Sequence, residues 1–245
     1  MGHYELRSNR IVAVQECPVH SERGNRIAFA LRDHLVRAGV SAAGPALRGI
    51  LRHLIIRTTQ DDGEAVAMLV VTRNDKSLRN PVRALLDSKD RPDGFFININ
   101  ETPGPLMVGP RTIRIEGNRH VRERVGGVSY LISPEAFFQT NVAAAAVLQR
   151  SVISGVRDAG RVLDLYCGSG LFSLPLAASG AFVCGIEENR QAIRDAEANV
   201  RLTVERIREL SPILRGMEDA GQLKIAGCIY DLETGRVRFL NPQPK

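Results

Sequence analysis

The stretch Val162-Leu-Asp-Leu-Tyr-Cys-Gly-Ser-Gly-Leu-Phe-Ser-Leu174 constrains the fold of this chain more than any other. An apolar β run carried by Val162, Leu163 and Leu165 ends in a glycine-rich turn, and a helical pattern follows. Strand, glycine turn and helix in that order is how a doubly wound α/β sheet holds a nucleotide-like ligand at the carboxyl ends of its strands. Gly168 and Gly170 let backbone come close to a ligand where a Cβ would collide. A second β run, Ala181-Phe-Val-Cys-Gly-Ile186, follows and ends in Glu187. A carboxylate at that place can accept both hydroxyls of a ribose. The plainer alternative is an ordinary tight turn and a surface glutamate.

Around this core the chain divides by pattern. Ile11–Val14 reads as a short strand, and Ile27, Leu31 and Leu35 mark the apolar face of a helix that follows Cys17-Pro-Val-His-Ser-Glu22 and ends near Gly39. A hairpin is predicted from Leu51–Thr59 and Ala65–Thr72 across Asp61-Asp-Gly63. A helix over about Leu78–Leu86 and strands at Gly94–Ile99 and around Ile113 and Ile115 come next. Residues 1–126 are therefore an α+β domain. Residues 127–203 carry the partial α/β domain with the glycine turn, and 204–245 form a helix-plus-hairpin tail.

Charge is distributed unevenly. The net charge is +6, with 20 Lys and Arg against 14 Asp and Glu in residues 1–132, and 13 of each in residues 133–245. A basic first half suits a polyanion such as RNA. With no Trp and 5% aromatic residues, base-stacking platforms are sparse. Arg52, Arg57, Arg119, His120, Arg122 and Arg124 are the RNA-contact candidates. A solvated strand end and a solvated hairpin are the alternatives for the two groups. The four cysteines are scattered without a Cys-x-x-Cys pair, against a zinc ribbon or disulfide scaffold, and no metal site is expected. The polar amino terminus and the lack of a membrane-length apolar run lead to the expectation of a cytoplasmic protein without membrane contact.

A single Gly-x-Gly, with an acid before it and an acid after the next strand, suits S-adenosylmethionine better than a dinucleotide. Together with Ser133-Pro-Glu-Ala-Phe-Phe-Gln-Thr-Asn141, the turn resembles the bacterial RNA uracil-5-methyltransferases, over about residues 4–202. The resemblance implies a Rossmann-like α/β methyltransferase fold, truncated here and preceded by an α+β central domain. It implies S-adenosylmethionine as cofactor and 5-methyluridine formation in tRNA or large-subunit ribosomal RNA. By that likeness Gln139 would bond the cofactor's amino-acid end, Asp164, Tyr166, Gly168 and Gly170 would form its turn, and Glu187 would hold its ribose. The residues also allow simpler roles: Gln139 or Asn141 as a cap for the helix beginning near Val142, Phe137 and Phe138 as core, Cys167 as a small buried thiol. Some relatives use a Cys-Pro like Cys17-Pro18 as one of four iron–sulfur ligands, but no cysteine precedes Cys17.

The family's chemistry needs a cysteine thiolate that adds to uracil C6, so that C5 attacks the sulfonium methyl, and a base that then removes the C5 proton. The Ser-Cys-Asn-Pro-like, Asp-Pro-Pro-Arg-like and Glu-containing segments that supply these groups do not occur in the 245 residues. No catalytic residue is therefore assigned, and impaired or absent turnover is expected. From about Asn199 to Leu240 the sequence resembles the carboxyl end of β-class carbonic anhydrases, without that family's zinc ligands, so anhydrase activity is excluded. The alternatives to an enzyme are a non-catalytic RNA-binding remnant and a hybrid interaction protein. A shortened sheet with an exposed edge, or the tail, would favour self-association.

Overall fold

Two units divide the chain, Met1–Val121 and Arg122–Lys245. A computed structural model describes residues 1–8, 10–44, 47–104, 106–156, 159–230 and 237–240.

In the first unit β1 (Gly2–Tyr4) and β2 (Ile11–Ala13) form an antiparallel ribbon. Helix α1 (Glu22–Arg37) begins where Ser21 Oγ accepts the Gly24 amide at 3.0 Å, satisfying one of the free donors of a helix start. A hairpin of β3 (Leu51–Thr58) and β4 (Ala65–Val71) turns where Asp61 accepts from the Gly63 amide and the Thr59 hydroxyl. Helix α2 (Arg79–Leu86) then crosses to β5 (Gly94–Ile99), parallel to β4, and β6 (Arg111–Gly117) returns antiparallel. The sheet order is β3-β4-β5-β6. Every residue of β4 and β5 is buried. Ile27, Leu31 and Leu35 of α1 join Ala67, Leu69, Val71, Phe95 and Ile97 in the core, as their spacing predicts.

The second unit opens with β7 (Val121–Val125), which starts on the unit boundary and pairs with β8 (Val128–Ile132) across the Gly126-Gly127 turn. The sequence does not announce β7. Its alternation is real, with Val121, Glu123 and Val125 buried and Arg122 and Arg124 exposed, but three adjacent charges hide it. The unit boundary therefore precedes Gly126. Helix α3 (Val142–Gly155) follows, then β9 (Arg161–Leu165), α4 (Ser173–Ala178) and β10 (Phe182–Ile186). Strands β9 and β10 are parallel and form a two-stranded sheet of their own.

Helix α5 (Arg190–Leu210) is capped by Asn189 and runs without a break past residues 203 and 204, where the sequence places a division. Its fully buried positions are Ala192, Asp195 and Asn199, while Ile193, Ala196, Val200, Val204 and Ile207 are half-buried and Leu210 is exposed. Helix α6 (Pro212–Asp219) starts at Ser211, as a Ser-Pro pair predicts. Strands β11 (Cys228–Tyr230) and β12 (Val237–Phe239) pair antiparallel in a separate sheet, and the predicted turn between them lies outside the described residues. Among the described residues no helix is long and apolar enough to cross a membrane.

A bidentate ion pair ties the tail to α5. Arg208 donates through Nε and Nη2 to Glu218 at 2.6 and 2.8 Å and through Nη2 to the Ile225 carbonyl at 2.9 Å, while Glu218 accepts the Ile225 amide at 2.9 Å. The Arg208 guanidinium, helped by the Ile225 amide, holds the Glu218 carboxyl down at about 2. A carboxyl that ionises more readily in the folded chain stabilises it fully above its ordinary value of 4.5, and that contribution is lost as pH falls toward about 2. The Ile225 amide protection factor, measured by hydrogen exchange, should hold steady from pH 7 to about 4.5 and collapse between there and about 2. In Arg208→Ala the protection should already be lost at neutral pH. Protection unaffected by either change would mean that the clasp does not hold the tail.

Candidate functional site

The parallel register Asp164↔Gly185 and Leu165↔Ile186 brings the carboxyl ends of β9 and β10 level. The turn after β9 and the residue after β10 therefore meet. The Cys167 amide donates to the Ile186 carbonyl at 3.0 Å, extending the pairing by one step. The Gly168 amide donates to Glu187 Oε2 at 2.9 Å, and the Asn189 amide donates to Oε1 at 2.8 Å. One carboxylate thus bridges the glycine turn and the start of α5. Each oxygen keeps an acceptor lone pair for a ligand. Asp164 Oδ2 accepts the Ser173 hydroxyl at 2.6 Å, joining β9 to the first residue of α4.

Three residues of the turn are left-handed: Tyr166 at φ 59°, Gly168 at 56° and Gly170 at 92°. This is the conformation that the glycines permit. For Tyr166 it costs about 1–2 kcal/mol, and its ring stands 82% exposed beside the turn. Backbone outliers of this kind concentrate at functional sites. Cys167 is half-buried in the turn. Burial, with the Asp164 and Glu187 carboxylates, pushes its thiol up to about 11.

The Ser133–Asn141 segment divides its residues between core and surface. Phe138 is buried and packs on Tyr130 with ring centroids 5.5 Å apart, whereas Phe137 is 73% exposed. Asn141 Oδ1 accepts the Ala144 amide at 2.9 Å and so caps α3. Gln139 is exposed two residues earlier.

The basic candidates fall on several elements of the two units. Arg52 donates through Nη1 to the carbonyls of Asn100 and Thr102 at 2.7 and 2.8 Å, which staples the loop after β5. Beside it, burial and the Arg52 charge push the His53 pKa down. Arg57 is half-buried on the same strand, β3. Arg119 is exposed and His120 half-buried in the first unit, and Arg122 and Arg124 occupy the exposed positions of β7. Among the described residues no group of three or more His, Cys, Asp or Glu is placed to hold a metal ion.

Sequence reasoning overlooked a buried polar set in the second unit: Tyr130, Ser133, Gln149, Ser169, Asp195 and Asn199. Asp195 and Asn199 stand at i and i+4 on α5, a spacing that was available as a signal. Nothing in the apolar pattern of α3 marks Gln149.

No protein-family model matches the chain. In sequence the chain is similar to an RNA methyltransferase of Geobacter sulfurreducens, itself described as uncharacterized, with 31% identity over 206 residues, 82% of this chain and 42% of the relative. A second uncharacterized RNA methyltransferase, from Gloeobacter violaceus, is 32% identical over 206 residues, 82% of this chain and 45% of the relative. The chain thus spans less than half the length of these curated relatives. The resemblance of residues 199–240 to carbonic anhydrase finds no support in these comparisons. Its supposed starting point lies inside the unbroken helix α5, which packs on β8 and α4. Among solved structures, the chain is similar to the Pyrococcus abyssi tRNA (uracil-54, C5)-methyltransferase in complex with S-adenosyl-L-homocysteine, with 28% identity and a TM-score of 0.67 over 79% of this chain and 47% of that one. The fold is the mixed α/β fold of the S-adenosylmethionine-dependent methyltransferases.

Proposed function

We propose that this chain binds S-adenosylmethionine at the turn after β9 and serves RNA methylation at uracil C5, in tRNA or large-subunit ribosomal RNA. The observation that carries the reading is the Glu187 carboxylate fixed against the Gly168 amide at the level ends of two parallel strands. The residues suit the cofactor. A Cβ built on Gly168 meets nothing within 4 Å, so the turn has open space above it. Glu187 can accept ribose hydroxyls through its remaining lone pairs. Bound there, the cofactor would supply an electrophilic methyl on a sulfonium. Gln139, exposed on the neighbouring motif, is the candidate for its amino-acid end. RNA phosphates would meet Arg119, Arg122 and Arg124, with Arg52, Arg57 and His120 as further candidates. Four free cysteines suit a reducing, cytoplasmic setting.

Affinity is tested by calorimetry with S-adenosylhomocysteine. The unmodified chain should release heat on binding, and Glu187→Gln should bind roughly ten- to a hundredfold more weakly, the worth of a charge-assisted hydrogen bond. No heat from the unmodified chain would sink the reading.

Turnover is a separate matter. Attack on uracil C6 needs a thiolate, and Cys167 is held protonated near neutrality by burial and two carboxylates. Cys17, Cys184 and Cys228 lack the sequence context of the family's nucleophile. A non-catalytic RNA-binding role is the second reading, favoured by this lack. With radiolabelled cofactor and unmodified tRNA or ribosomal RNA, these 245 residues should transfer no methyl above background, and clear transfer would reveal a nucleophile among the four thiols. Iodoacetamide at pH 7.5, followed by mass spectrometry, should label exposed Cys228 far faster than Cys167. The Cys167 rate should climb steadily up to a pH of about 11. Rapid labelling of Cys167 at pH 7.5 would contradict the assignment.

The two-stranded sheet leaves Leu163 and Leu165 each 58% exposed and Phe182 63% exposed. Such a face favours self-association. Sedimentation velocity should show a concentration-dependent shift that the double variant Leu163→Glu, Leu165→Glu abolishes, and a monomer at every concentration would refute it.

A further inference from the structure

We infer that Asn199 and Gln149 are positioning residues that set the peptide planes of the glycine turn, with Asp195 holding the Ser133 segment in the same way, an inference that rests on the turn being the ligand site. Asn199 is wholly buried on α5. Its Oδ1 accepts the Leu131 amide at 2.6 Å, and its Nδ2 donates to the Leu131 carbonyl at 3.2 Å and to the Ser169 carbonyl at 3.0 Å. One amide thereby pairs with β8 as a neighbouring strand would and spends its second hydrogen on the turn. Two residues on, the Leu171 carbonyl accepts from Gln149 Nε2 at 2.9 Å and from the Tyr130 hydroxyl at 3.1 Å. Gln149 also donates to that hydroxyl at 3.0 Å. The left-handed Gly126 leaves the room that this amide needs, since a Cβ there would lie 1.8 Å from Gln149 Oε1.

Two alternate carbonyls of the turn are therefore taken by buried donors. A trans peptide points its N–H opposite to its carbonyl. Pinning the carbonyls of 169 and 171 thus fixes the 169–170 and 171–172 planes, while Glu187 fixes the Gly168 amide. Asp195, one helical turn before Asn199, does the same for the other motif: its Oδ2 accepts the Ser133 amide and hydroxyl at 2.8 and 2.9 Å, and Gln191 donates to its Oδ1 at 2.9 Å. Adjacent turns of one helix thus hold the segment leading to Gln139 and the turn carrying Gly168. The two anchor points, Ser133 and Ser169, are 36 residues apart in sequence. Apolar side chains at 195 and 199 would leave the Leu131, Ser133 and Ser169 backbone groups buried without partners.

The test uses Asn199→Asp, which keeps an acceptor for the Leu131 amide but removes both donated bonds. Amide hydrogen exchange should accelerate at least tenfold at Gly168–Leu171, with the helices of the unit little changed, and the dissociation constant for S-adenosylhomocysteine should rise at least tenfold. Gln149→Met, close in volume but without the donor, should act in the same direction and serves if Asn199→Asp fails to fold. Arg208→Ala cuts the tail clasp and is the control: it should leave the ligand affinity unchanged. Unaltered turn exchange, or exchange raised uniformly across the unit, overturns the inference whatever the ligand result. Loss of binding by the unmodified chain would instead defeat the assignment of the ligand, and turn exchange would still decide the positioning role.

Discussion

Much of the second unit depends on where two parallel strands end. Antiparallel neighbours need only a tight turn, but parallel neighbours need a crossover, here α4 between β9 and β10. The register leaves the carboxyl ends level, so the residue after β10 falls beside the turn after β9. A carboxylate there can take an amide from the turn and an amide from the start of the next helix, and Glu187 does both. Its charge also lies at the positive end of α5. The group that would meet a ribose is the group that fastens the strand ends together, so on the proposed reading shape and recognition would come from one side chain.

The same economy explains what was legible beforehand. Helix α1, the β3–β4 hairpin and the glycine turn all announce themselves through apolar spacing, caps or turn residues, and each stands where that chemistry puts it. Asn141 and Ser211 cap their helices for the same reason. Apolar periodicity reports what is withdrawn from water because it is apolar. It is silent on groups withdrawn because a backbone needs them, and so the face of α5 built on Asp195 and Asn199 went unread. Strand β7 is hidden by its charges, and the bonds of Arg52 to the carbonyls of a nearby loop leave no mark in the pattern of its strand. A resemblance between short motifs points to Gly168 and Glu187 as candidates, but does not say which of Phe137 and Phe138 belongs to the core.

The two units hold themselves together by different means. In the first, β4 and β5 are buried end to end and α1 supplies an apolar face, so packing dominates. In the second, β9 and β10 have no further strand beside them among the described residues, and alternate residues of β9 remain exposed. Parallel sheets are ordinarily covered on both faces. Here Leu163 and Leu165 remain exposed, while α4 packs against β10.

Ser169, Gly170 and Leu171 are buried, while Cys167 and Gly168 are half-buried and Tyr166 is exposed, so burial fixes only part of the glycine turn. Apolar contact is nondirectional and holds a segment only by covering it, whereas a hydrogen bond fixes a peptide plane from one side and leaves the other free. Asn199, Gln149 and Tyr130 reach the turn through its carbonyls, from within the unit. These amides and hydroxyls carry a desolvation cost that is tolerable only because each is partnered. The orientation of the turn therefore rests on these carbonyl bonds as well as on packing. On the proposed reading, a small, charged nucleoside would meet the same backbone geometry each time it arrives.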